Sequence, residues 1–335
     1  GIPDDAWIVD RAGRLRKGVF CCTSPFALDF SYRKAKSILA ALQPESYWPD
    51  DDLRNMKTDW GKAGNCFCSR CVRMFGERAG RTYTRESLLA ELDTGKAADA
   101  ETRKAWCAFN AETLDAYART FRRAADEVSP KTRLGIQAAC SRFTANGDLM
   151  SRILETFAGL DGKAGIRPGG LHYTDREMRG DLLLKLVLVA REAARTGRLA
   201  ACGQVCYEVE NWPHIGALKS PGGMMAECAL ALAAGCDSLA LYWGADQNGE
   251  ADETYDFWLD TLAKWKPFLL SVRDAFAGTD LAGIALYHGE DSWATDGWIR
   301  HDDSVVSRLA ENGLPISVTE ADSEAYFLNE RAVAT

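Results

Sequence analysis

The stretches Trp48-Pro49-Asp50-Asp51-Asp52 and Cys66-Phe67-Cys68-Ser69-Arg70-Cys71 lie close together in the chain and constrain its fold more than any other segment. The first is typical of a strand end that delivers carboxylates, because an aromatic residue and a proline are followed by three acidic residues. The second has the Cys-x-Cys-x-x-Cys spacing of metal ligands. Together they predict a strand with an acidic carboxyl end, followed by a metal-binding loop.

The composition is that of a globular protein with a large core, since 47% of the 335 residues are hydrophobic and 26% are charged. The net charge of −8 argues against a nucleic-acid partner, which would favour a basic surface. No apolar stretch reaches membrane-spanning length, because the run at 182–190 is interrupted by Lys185. We therefore expect neither a nucleic-acid partner nor a membrane partner.

The eleven cysteines do not suggest a disulfide framework, because their number is odd and most lie singly in apolar segments. This pattern is typical of reduced thiols in the core of a cytoplasmic protein, and we expect a cytoplasmic location. The scattered cysteines are Cys107, Cys202, Cys206, Cys228 and Cys236.

Strand-like and helical segments alternate along most of the chain, which predicts a parallel α/β sheet. No Gly-x-Gly-x-x-Gly motif follows the first strand, so a (β/α)8 barrel of the TIM type is favoured over a dinucleotide-binding fold. The predicted strands are Ser46–Pro49, Arg133–Ala138, Gly165–Pro168, Gln204–Glu210 and Ser238–Trp243. The predicted helices are Arg85–Leu92, Lys104–Val128, Leu149–Phe157, Asp181–Thr196, Met224–Ala234 and Tyr255–Val272.

The pattern restarts near Thr279. A predicted strand at Leu281–Tyr287, a helix at Ser304–Asn312 and a strand at 313–318 indicate the start of a second, flavodoxin-like α/β domain. We therefore predict a barrel domain at 1–278, with a zinc-binding loop at 21–71, and a second domain at 279–335.

Carboxylates recur at the predicted carboxyl ends of strands, where parallel barrels carry their active sites. Asp50–Asp52 follow one strand, and Glu208 and Glu210 share a face at the end of another. A retaining glycosidase needs one carboxylate to protonate the leaving oxygen and one to attack the anomeric carbon. A solvated acidic surface is the alternative for one such run, but the repetition beside aromatic residues favours a sugar site.

The Cys66–Cys71 run supplies three thiols, and a tetrahedral metal site needs a fourth ligand. The pair Cys21-Cys22 can supply it. A site of four thiolates has no open position, so its zinc would be structural and not catalytic. The alternative is a chance cluster of buried cysteines.

Four segments carry a resemblance to a known family: Gly18–Pro25, Trp48–Asp52, Gly64–Phe75 and Glu210–Pro213. They resemble glycoside hydrolase family 42, whose members are retaining β-galactosidases with a TIM-type barrel. In addition, Ala282–Tyr287 followed by Trp293 is similar to the opening of the family's trimerisation domain. The resemblance is distant but spans nearly the whole chain, and the thiol spacing is its most specific part.

The resemblance implies that Asp52 is the general acid/base, that Glu210 is the nucleophile and that Asp51 hydrogen-bonds the sugar. Glu208 is the alternative to Glu210, because the two share a face of the strand. The resemblance also implies a structural Zn2+, with Cys21 as the alternative to Cys22 as the fourth ligand. The implied zinc ligands are Cys22, Cys66, Cys68 and Cys71.

The chain departs from the family at the acid, because Asp52 stands where the family has Glu and Asp51 stands where it has Asn. Asp is one methylene shorter, so the substrate must approach more closely or the backbone must be placed differently. Two adjacent carboxylates cannot both ionise freely, so the pKa of one should rise, as an acid near neutral pH requires. The same change also fits a barrel that binds sugar without cleaving it.

Other side chains near strand ends are predicted to bind the substrate, an oligosaccharide or glycoside. Tryptophan can stack on a sugar ring, although burial in a core is its usual role. A lone histidine is more often structural, and the acidic loop at 250–253 is equally explained as a solvated surface. The predicted substrate-binding residues are Asp51, Trp48, Glu208, His172, Trp212, Trp243 and Glu253.

Counting Ser46–Pro49 as barrel strand four makes the later predicted strands five to eight. We therefore expect the first three strands to precede Gly1 and the chain to be an incomplete protein. The resemblance further implies a homotrimer, formed through the domain that begins near Thr279.

The favoured function is cleavage of a β-linked sugar by retaining double displacement. The alternative is a non-catalytic, zinc-stapled barrel that binds carbohydrate, which would show sugar binding without turnover. A third hypothesis is a metal-dependent hydrolase that uses Asp50–Asp52 to bind a divalent ion.

Overall fold

The structure, a computed structural model, describes the larger part of the chain, which divides into two compact units. Unit 1 comprises 1–136, 142–164 and 289–301, and unit 2 comprises 137–141, 165–288 and 302–335. The described residues are 1–49, 53, 65–92, 100–138, 149–168, 174–175, 199–211, 218–242, 252–279, 282–287, 316–319, 325–328 and 331–334, with single positions at 182, 186, 189, 190, 193, 197, 312 and 314.

Unit 1 begins with an antiparallel hairpin and continues mainly as helices. Its elements are β1 (Trp7–Val9), β2 (Leu15–Phe20), α1 (Pro25–Leu42), β3 (Ser46–Tyr47), α2 (Ser69–Ala79), α3 (Arg85–Leu92), α4 (Ala100–Val128), β4 (Arg133–Ala138, which ends in unit 2) and α5 (Leu149–Phe157). The sequence patterns predict α3, α4, α5 and strands β3 and β4, whereas the β1–β2 hairpin, α1 and α2 were not predicted.

Helix α1 packs along α4. It begins with Pro25, whose missing N–H costs no hydrogen bond in a first turn, and it ends at Gln43 in the left-handed conformation, with φ of 44°. The Gln43 side-chain amide donates to the carbonyls of Leu39 and Val128 at 3.0 and 2.8 Å. This one side chain therefore caps α1 and ties it to the end of α4.

Unit 2 continues the alternation of strands and helices. Its elements are β5 (Ala164–Pro168, which begins in unit 1), β6 (Cys202–Glu210), α6 (Pro221–Ala233), β7 (Ser238–Tyr242), α7 (Asp252–Phe276), β8 (Ile284–Tyr287), β9 (Ile316–Thr319), β10 (Ala325–Leu328) and β11 (Arg331–Ala334).

The five predicted barrel strands form one sheet in the order β3-β4-β5-β6-β7. The β3–β4 pair is parallel, with Ser46 opposite Arg133. The β6–β7 pair is also parallel, with Glu208 opposite Ala240 and Glu210 opposite Tyr242. Strand order follows chain order, as successive β-α units require. The parallel α/β class predicted from the sequence is therefore confirmed.

A separate four-stranded sheet has the order β11-β10-β8-β9. Strand β8 is parallel to β9 and β10, and β10 pairs with β11 as an antiparallel hairpin. Two of these strands fall near the predicted strands at 281–287 and 313–318. The predicted helix at 304–312 lies almost wholly outside the described residues, so the flavodoxin-like character and the boundary near 279 stay predictions.

None of the described helices combines the length and the apolar character that crossing a lipid bilayer requires.

A buried ion pair, Lys219 with Glu227 of α6, lies against the face of strand β6 that carries Tyr207. The Lys219 Nζ lies 2.6 Å from Glu227 Oε2, and both side chains are fully buried. The Tyr207 hydroxyl donates to Glu227 Oε1 at 2.6 Å. Burial, with the nearby Glu227 carboxylate, raises the pKa of Tyr207 well above its usual value, so the phenol stays protonated and donates. Both oxygens of this buried carboxylate are therefore paired.

Removing one member of this pair should destabilise the protein strongly. Glu227→Gln removes the carboxylate charge that pairs with the buried Lys219 ammonium, and we expect a loss of about 3–5 kcal/mol in the free energy of unfolding, measured by urea denaturation. The double variant Lys219→Met with Glu227→Met is the matched control. It removes both charges together and should lose less. Equal losses in the two proteins would contradict this account of the pair.

Candidate functional site

Four thiols of unit 1 converge at one point. The Sγ atoms of Cys21, Cys66, Cys68 and Cys71 all lie within 4.8 Å of one another. The Cys21 sulfur lies 3.6 Å from that of Cys71 and 3.9 Å from that of Cys68. A tetrahedral zinc site with bonds of about 2.3 Å has sulfur–sulfur edges of about 3.8 Å. The four thiols are therefore close enough to hold a zinc ion after small shifts of their sulfur atoms.

The backbone holds each thiol in place. The Cys21 N–H donates to the Ala6 carbonyl at 2.8 Å, which fixes the residue directly after β2. The Val9 N–H donates to Cys66 Sγ at 3.4 Å. Cys68 is the N-cap of α2, and its Sγ accepts from the Cys71 N–H at 3.5 Å. Because a helix N-terminus favours negative charge, this position suits thiolate ligands.

The electrostatics of the cluster depend on how many of its thiols are ionised. Hydrogen bonds from Cys66, Cys68 and Cys71 lower the pKa of Cys21. Hydrogen bonding to Cys21 raises the pKa of Cys66 and of Cys71 well above the usual value. Thiols packed this closely cannot all lose a proton unless a cation balances their charge. Four thiolates on one Zn2+ would fill its coordination sphere, so the ion would staple the chain and supply no catalytic position.

Arg70 adds positive charge beside the cluster. Its Nη2 pairs with Asp5 at 2.7 Å. Partial burial acts to lower the pKa of Arg70, but Asp5 and the thiolate charge of Cys21 and Cys68 raise it overall. The guanidinium therefore helps to offset the net negative charge that four thiolates leave on a divalent ion.

The fourth thiol is Cys21, and the preference for Cys22 was wrong. Cys22 is buried but lies outside the cluster. Burial, with the adjacent Cys21 thiolate, raises its pKa well above the usual value, so it stays a neutral thiol. It lies near enough to Tyr117 of α4 to influence the pKa of that phenol. The bond from Cys21 to Ala6 sets the direction of the chain here, which the adjacent Cys21-Cys22 pair does not reveal in the sequence.

The cluster is part of a small hydrophobic core. The ring of Trp106 stacks on Phe67 with centroids 5.1 Å apart and meets Phe75 edge-on at 5.1 Å. Phe109 stacks on the other side of Trp106 at 5.5 Å. These rings join the thiol loop to α2 and to the start of α4, so the thiol cluster and the aromatic core support each other.

Cys21→Ser and Cys22→Ser should separate the two candidates for the fourth ligand. We expect the Cys21→Ser protein to lose its zinc, measured by elemental analysis after dialysis, because three thiolates and a hydroxyl bind the ion less well. The Cys22→Ser protein should keep it. Zinc should also be released on acidification, since protons compete for the thiolates. Retention by Cys21→Ser with loss from Cys22→Ser would contradict the assignment.

Two carboxylates of unit 2 lie on one face of β6. Glu208 is 9% exposed, and Glu210 is half-buried at the last residue of the strand. Tyr207, which directly precedes Glu208 in sequence, points to the opposite face, where it bonds Glu227. The expectation that Glu208 and Glu210 share a face is therefore met, and Glu210 is the one at the carboxyl end.

Glu208 is held by side chains from two other strands. Gln137 of β4 donates through Nε2 to Glu208 Oε2 at 2.5 Å. Arg167 of β5 lies with its Nη2 3.3 Å from Glu208 Oε1. Neither partner is predicted from the sequence. A signal was present in the sequence, because in each strand the polar residue follows a glycine, Gly135 or Gly165, by two positions. Both polar residues therefore lie on the face opposite the buried Leu and Ile side chains.

Trp48, in unit 1, covers β4 where a glycine leaves room. A Cβ added at Gly135 would lie 2.4 Å from two atoms of the Trp48 ring, closer than any real contact. The glycine is therefore required by the close approach of the ring. Trp48 itself is half-buried, so part of its ring stays accessible at the end of β3.

Of the other predicted site residues, only Glu253 belongs to the described part of the chain. Glu253 is exposed in the first turn of α7. The remaining predicted residues lie outside the described part of the chain: Asp51, Asp52, His172, Trp212 and Trp243. The roles of all these residues stay predictions.

Gly135→Ala should displace the Trp48 ring or strain β4. We expect a loss of about 1–3 kcal/mol in the free energy of unfolding, the usual cost of overpacking. The matched control is Gly222→Ala, because a Cβ there meets no atom within 4 Å. Adding Trp48→Ala to Gly135→Ala should remove most of the strain. An undiminished penalty in that background would show that the ring is not its source.

No protein-family model matches the chain, and no curated protein matches its sequence. Solved β-galactosidases nevertheless share its fold. The β-galactosidase from the psychrophilic Marinomonas ef1 matches with a TM-score of 0.59 and 14% identity, over 96% of this chain and 57% of that chain. The β-galactosidase from Bacillus circulans sp. alkalophilus matches with a TM-score of 0.60 and 13% identity, over 96% of this chain and 53% of that chain.

A catalytic mutant of a GH42 β-galactosidase from G. stearothermophilus matches with a TM-score of 0.56 and 14% identity, over 94% of this chain and 52% of that chain. The chain thus spans about half the length of the solved structures that it matches. The resemblance expected from the sequence is confirmed at the level of the fold, which is that of a distant and partial relative of the GH42 β-galactosidases.

Proposed function

We propose that the protein is a retaining β-glycosidase of the β-galactosidase type, with Asp52 as general acid/base and Glu210 as nucleophile. The observation that carries the proposal is Glu210 at the carboxyl end of β6, in a parallel sheet whose fold is shared with β-galactosidases. Active sites of parallel barrels lie at this end of their strands.

The contacts of Glu208 and the position of Glu210 at the end of β6 favour Glu210 as the nucleophile. Both carboxylate oxygens of Glu208 are engaged, one by Gln137 and one by Arg167. Glu210 is half-buried and lies one strand step nearer the carboxyl edge. A nucleophile must reach the anomeric carbon with one oxygen, and Glu210 is better placed to do so.

The reaction would proceed by double displacement. Asp52 donates its proton to the glycosidic oxygen while a Glu210 oxygen attacks the anomeric carbon and the bond to the leaving group breaks. Water then attacks the glycosyl–enzyme ester. Asp52 takes a proton from that water, and the Glu210 carboxylate is regenerated. Asp51 beside Asp52 disfavours a second negative charge, which keeps the acid protonated at higher pH.

We also propose the remaining features of the site. Trp48, Trp212 and Trp243 would stack on sugar rings, while His172 and Glu253 would bind hydroxyls. The four thiols including Cys21 would hold a structural Zn2+. The substrate class is inferred from the β-galactosidases that share the fold.

Replacing either catalytic carboxylate should give a distinct kinetic signature. With nitrophenyl β-D-galactoside, Glu210→Gln should abolish turnover. Asp52→Asn should lower kcat/KM by about 10²–10⁴-fold on a galactoside with a poor leaving group, and less on the nitrophenyl substrate, which needs little protonation.

Glu208→Gln is the comparison for Glu210→Gln. Full activity in Glu210→Gln, with loss in Glu208→Gln, would overturn the assignment of the nucleophile. NMR should show that the sugar product released first has the β configuration, because two successive displacements at the anomeric carbon restore it. This mechanism requires the two carboxyl groups to lie about 5–5.5 Å apart. Sugar binding without any turnover would instead indicate a non-catalytic, carbohydrate-binding barrel.

A further inference from the structure

A polar row crosses three strands of the five-stranded sheet within unit 2. Gln137 is the second-to-last residue of β4, Arg167 is the second-to-last residue of β5, and Glu208 precedes the end of β6 by two residues. The Gln137 amide and the Arg167 guanidinium both contact the Glu208 carboxylate, at 2.5 and 3.3 Å. The row therefore lies just below the carboxyl edge of the strands, where parallel sheets bind their ligands.

The contact with Glu208 fixes the orientation of the Gln137 amide. A carboxylate only accepts hydrogen bonds, so the Gln137 NH2 group must face it and the carbonyl oxygen must point elsewhere. Gln137 is 6% exposed, and its Oε1 has no hydrogen-bond partner among the described residues. A buried acceptor without a donor is costly. The geometry therefore leaves a buried acceptor that a ligand hydroxyl can satisfy.

The charge of the row indicates the chemistry of that ligand. The positive charge of Arg167 is balanced by Glu208, so the row attracts neither anions nor cations strongly. It offers one acceptor without a donor among the described residues, Gln137 Oε1, close to the Arg167 guanidinium. A hydroxyl both donates and accepts. The row is therefore suited to a hydroxyl of a neutral sugar.

We propose that Gln137 is a specificity-determining residue whose Oε1 accepts a hydrogen bond from one hydroxyl of the bound sugar. Arg167 and Glu208 are positioning residues that hold the amide in this orientation. The inference rests on the proposed function, because it takes the ligand to be a glycoside bound at the same edge of the sheet as Glu210.

The test couples a protein variant to single hydroxyls of the substrate. Gln137→Met keeps the length of the side chain and removes its amide. We compare kcat/KM of this variant and of the unchanged protein on nitrophenyl β-D-galactoside and on its monodeoxy analogues, each of which lacks one hydroxyl. The variant should lose about three- to tenfold more on the parent than on one particular analogue, which is the net size of one neutral hydrogen bond.

Gln204→Met is the matched control. Gln204 lies on the same face of β6 but near its amino end, and its amide donates to Ser238 Oγ at 2.9 Å. Its replacement should change the rate on every analogue by the same factor. Circular dichroism checks that each variant folds. If Gln137→Met does not fold, Gln137→Asn takes its place in the comparison. Asn keeps the amide on a shorter side chain, so this variant should lose the same coupling to one hydroxyl.

The outcomes separate this inference from the proposed function. Turnover with equal losses on all analogues overturns the role of Gln137 and leaves the glycosidase intact. If nothing is turned over, calorimetric binding of galactose and its monodeoxy analogues gives the same comparison. If Gln137→Met weakens the binding of galactose more than that of one monodeoxy analogue, the inference is supported although the proposed catalysis is contradicted. Absence of both turnover and sugar binding overturns both.

Discussion

The convergence of Cys21 with Cys66, Cys68 and Cys71 is the constraint on which the arrangement of unit 1 depends. It closes the chain between the end of the β1–β2 hairpin and the start of α2, and the enclosed segment contains α1 and β3. Closing so long a segment costs conformational entropy, which a metal bond or a packed core must offset. The stacked rings of Phe67, Trp106 and Phe109 supply the core. The thiols and these rings therefore tie the hairpin to the starts of α2 and α4.

Strand β6 carries the corresponding constraint in unit 2. It buries polar groups on both faces, with Tyr207 bonded to Glu227 on one and Glu208 bonded to Gln137 and Arg167 on the other. A slip of one residue would exchange the faces and leave all these groups buried without partners. The cost would approach the whole stability of a domain. The polar side chains therefore specify the register of the strand as strongly as its apolar residues do.

The sequence allowed the periodic features to be predicted and concealed the long-range ones. The alternation of strands and helices, and the Cys66–Cys71 spacing, are local patterns, and the five strands and three of the four clustered thiols follow from them. The choice between Cys21 and Cys22 depends on a backbone bond to Ala6. The partners of Glu208 come from strands more than forty residues away. A polar residue after a glycine marks Gln137 and Arg167 locally, but local spacing does not reveal which residue they contact, and it does not show the bond from Cys21 to Ala6.

The register of β6 also links the two proposals made for unit 2. Glu210 follows Glu208 by two residues, so its carboxylate leaves the strand on the face that carries Gln137 and Arg167. Because Glu208 is fixed at both oxygens, rotation of this part of the strand is opposed directly below the proposed nucleophile. Small Ala240 stands opposite Glu208, and Tyr242 stands opposite Glu210. A carboxylate that must attack one carbon atom needs such a fixed base. The buried row thus serves a catalyst better than it would serve a loosely binding surface.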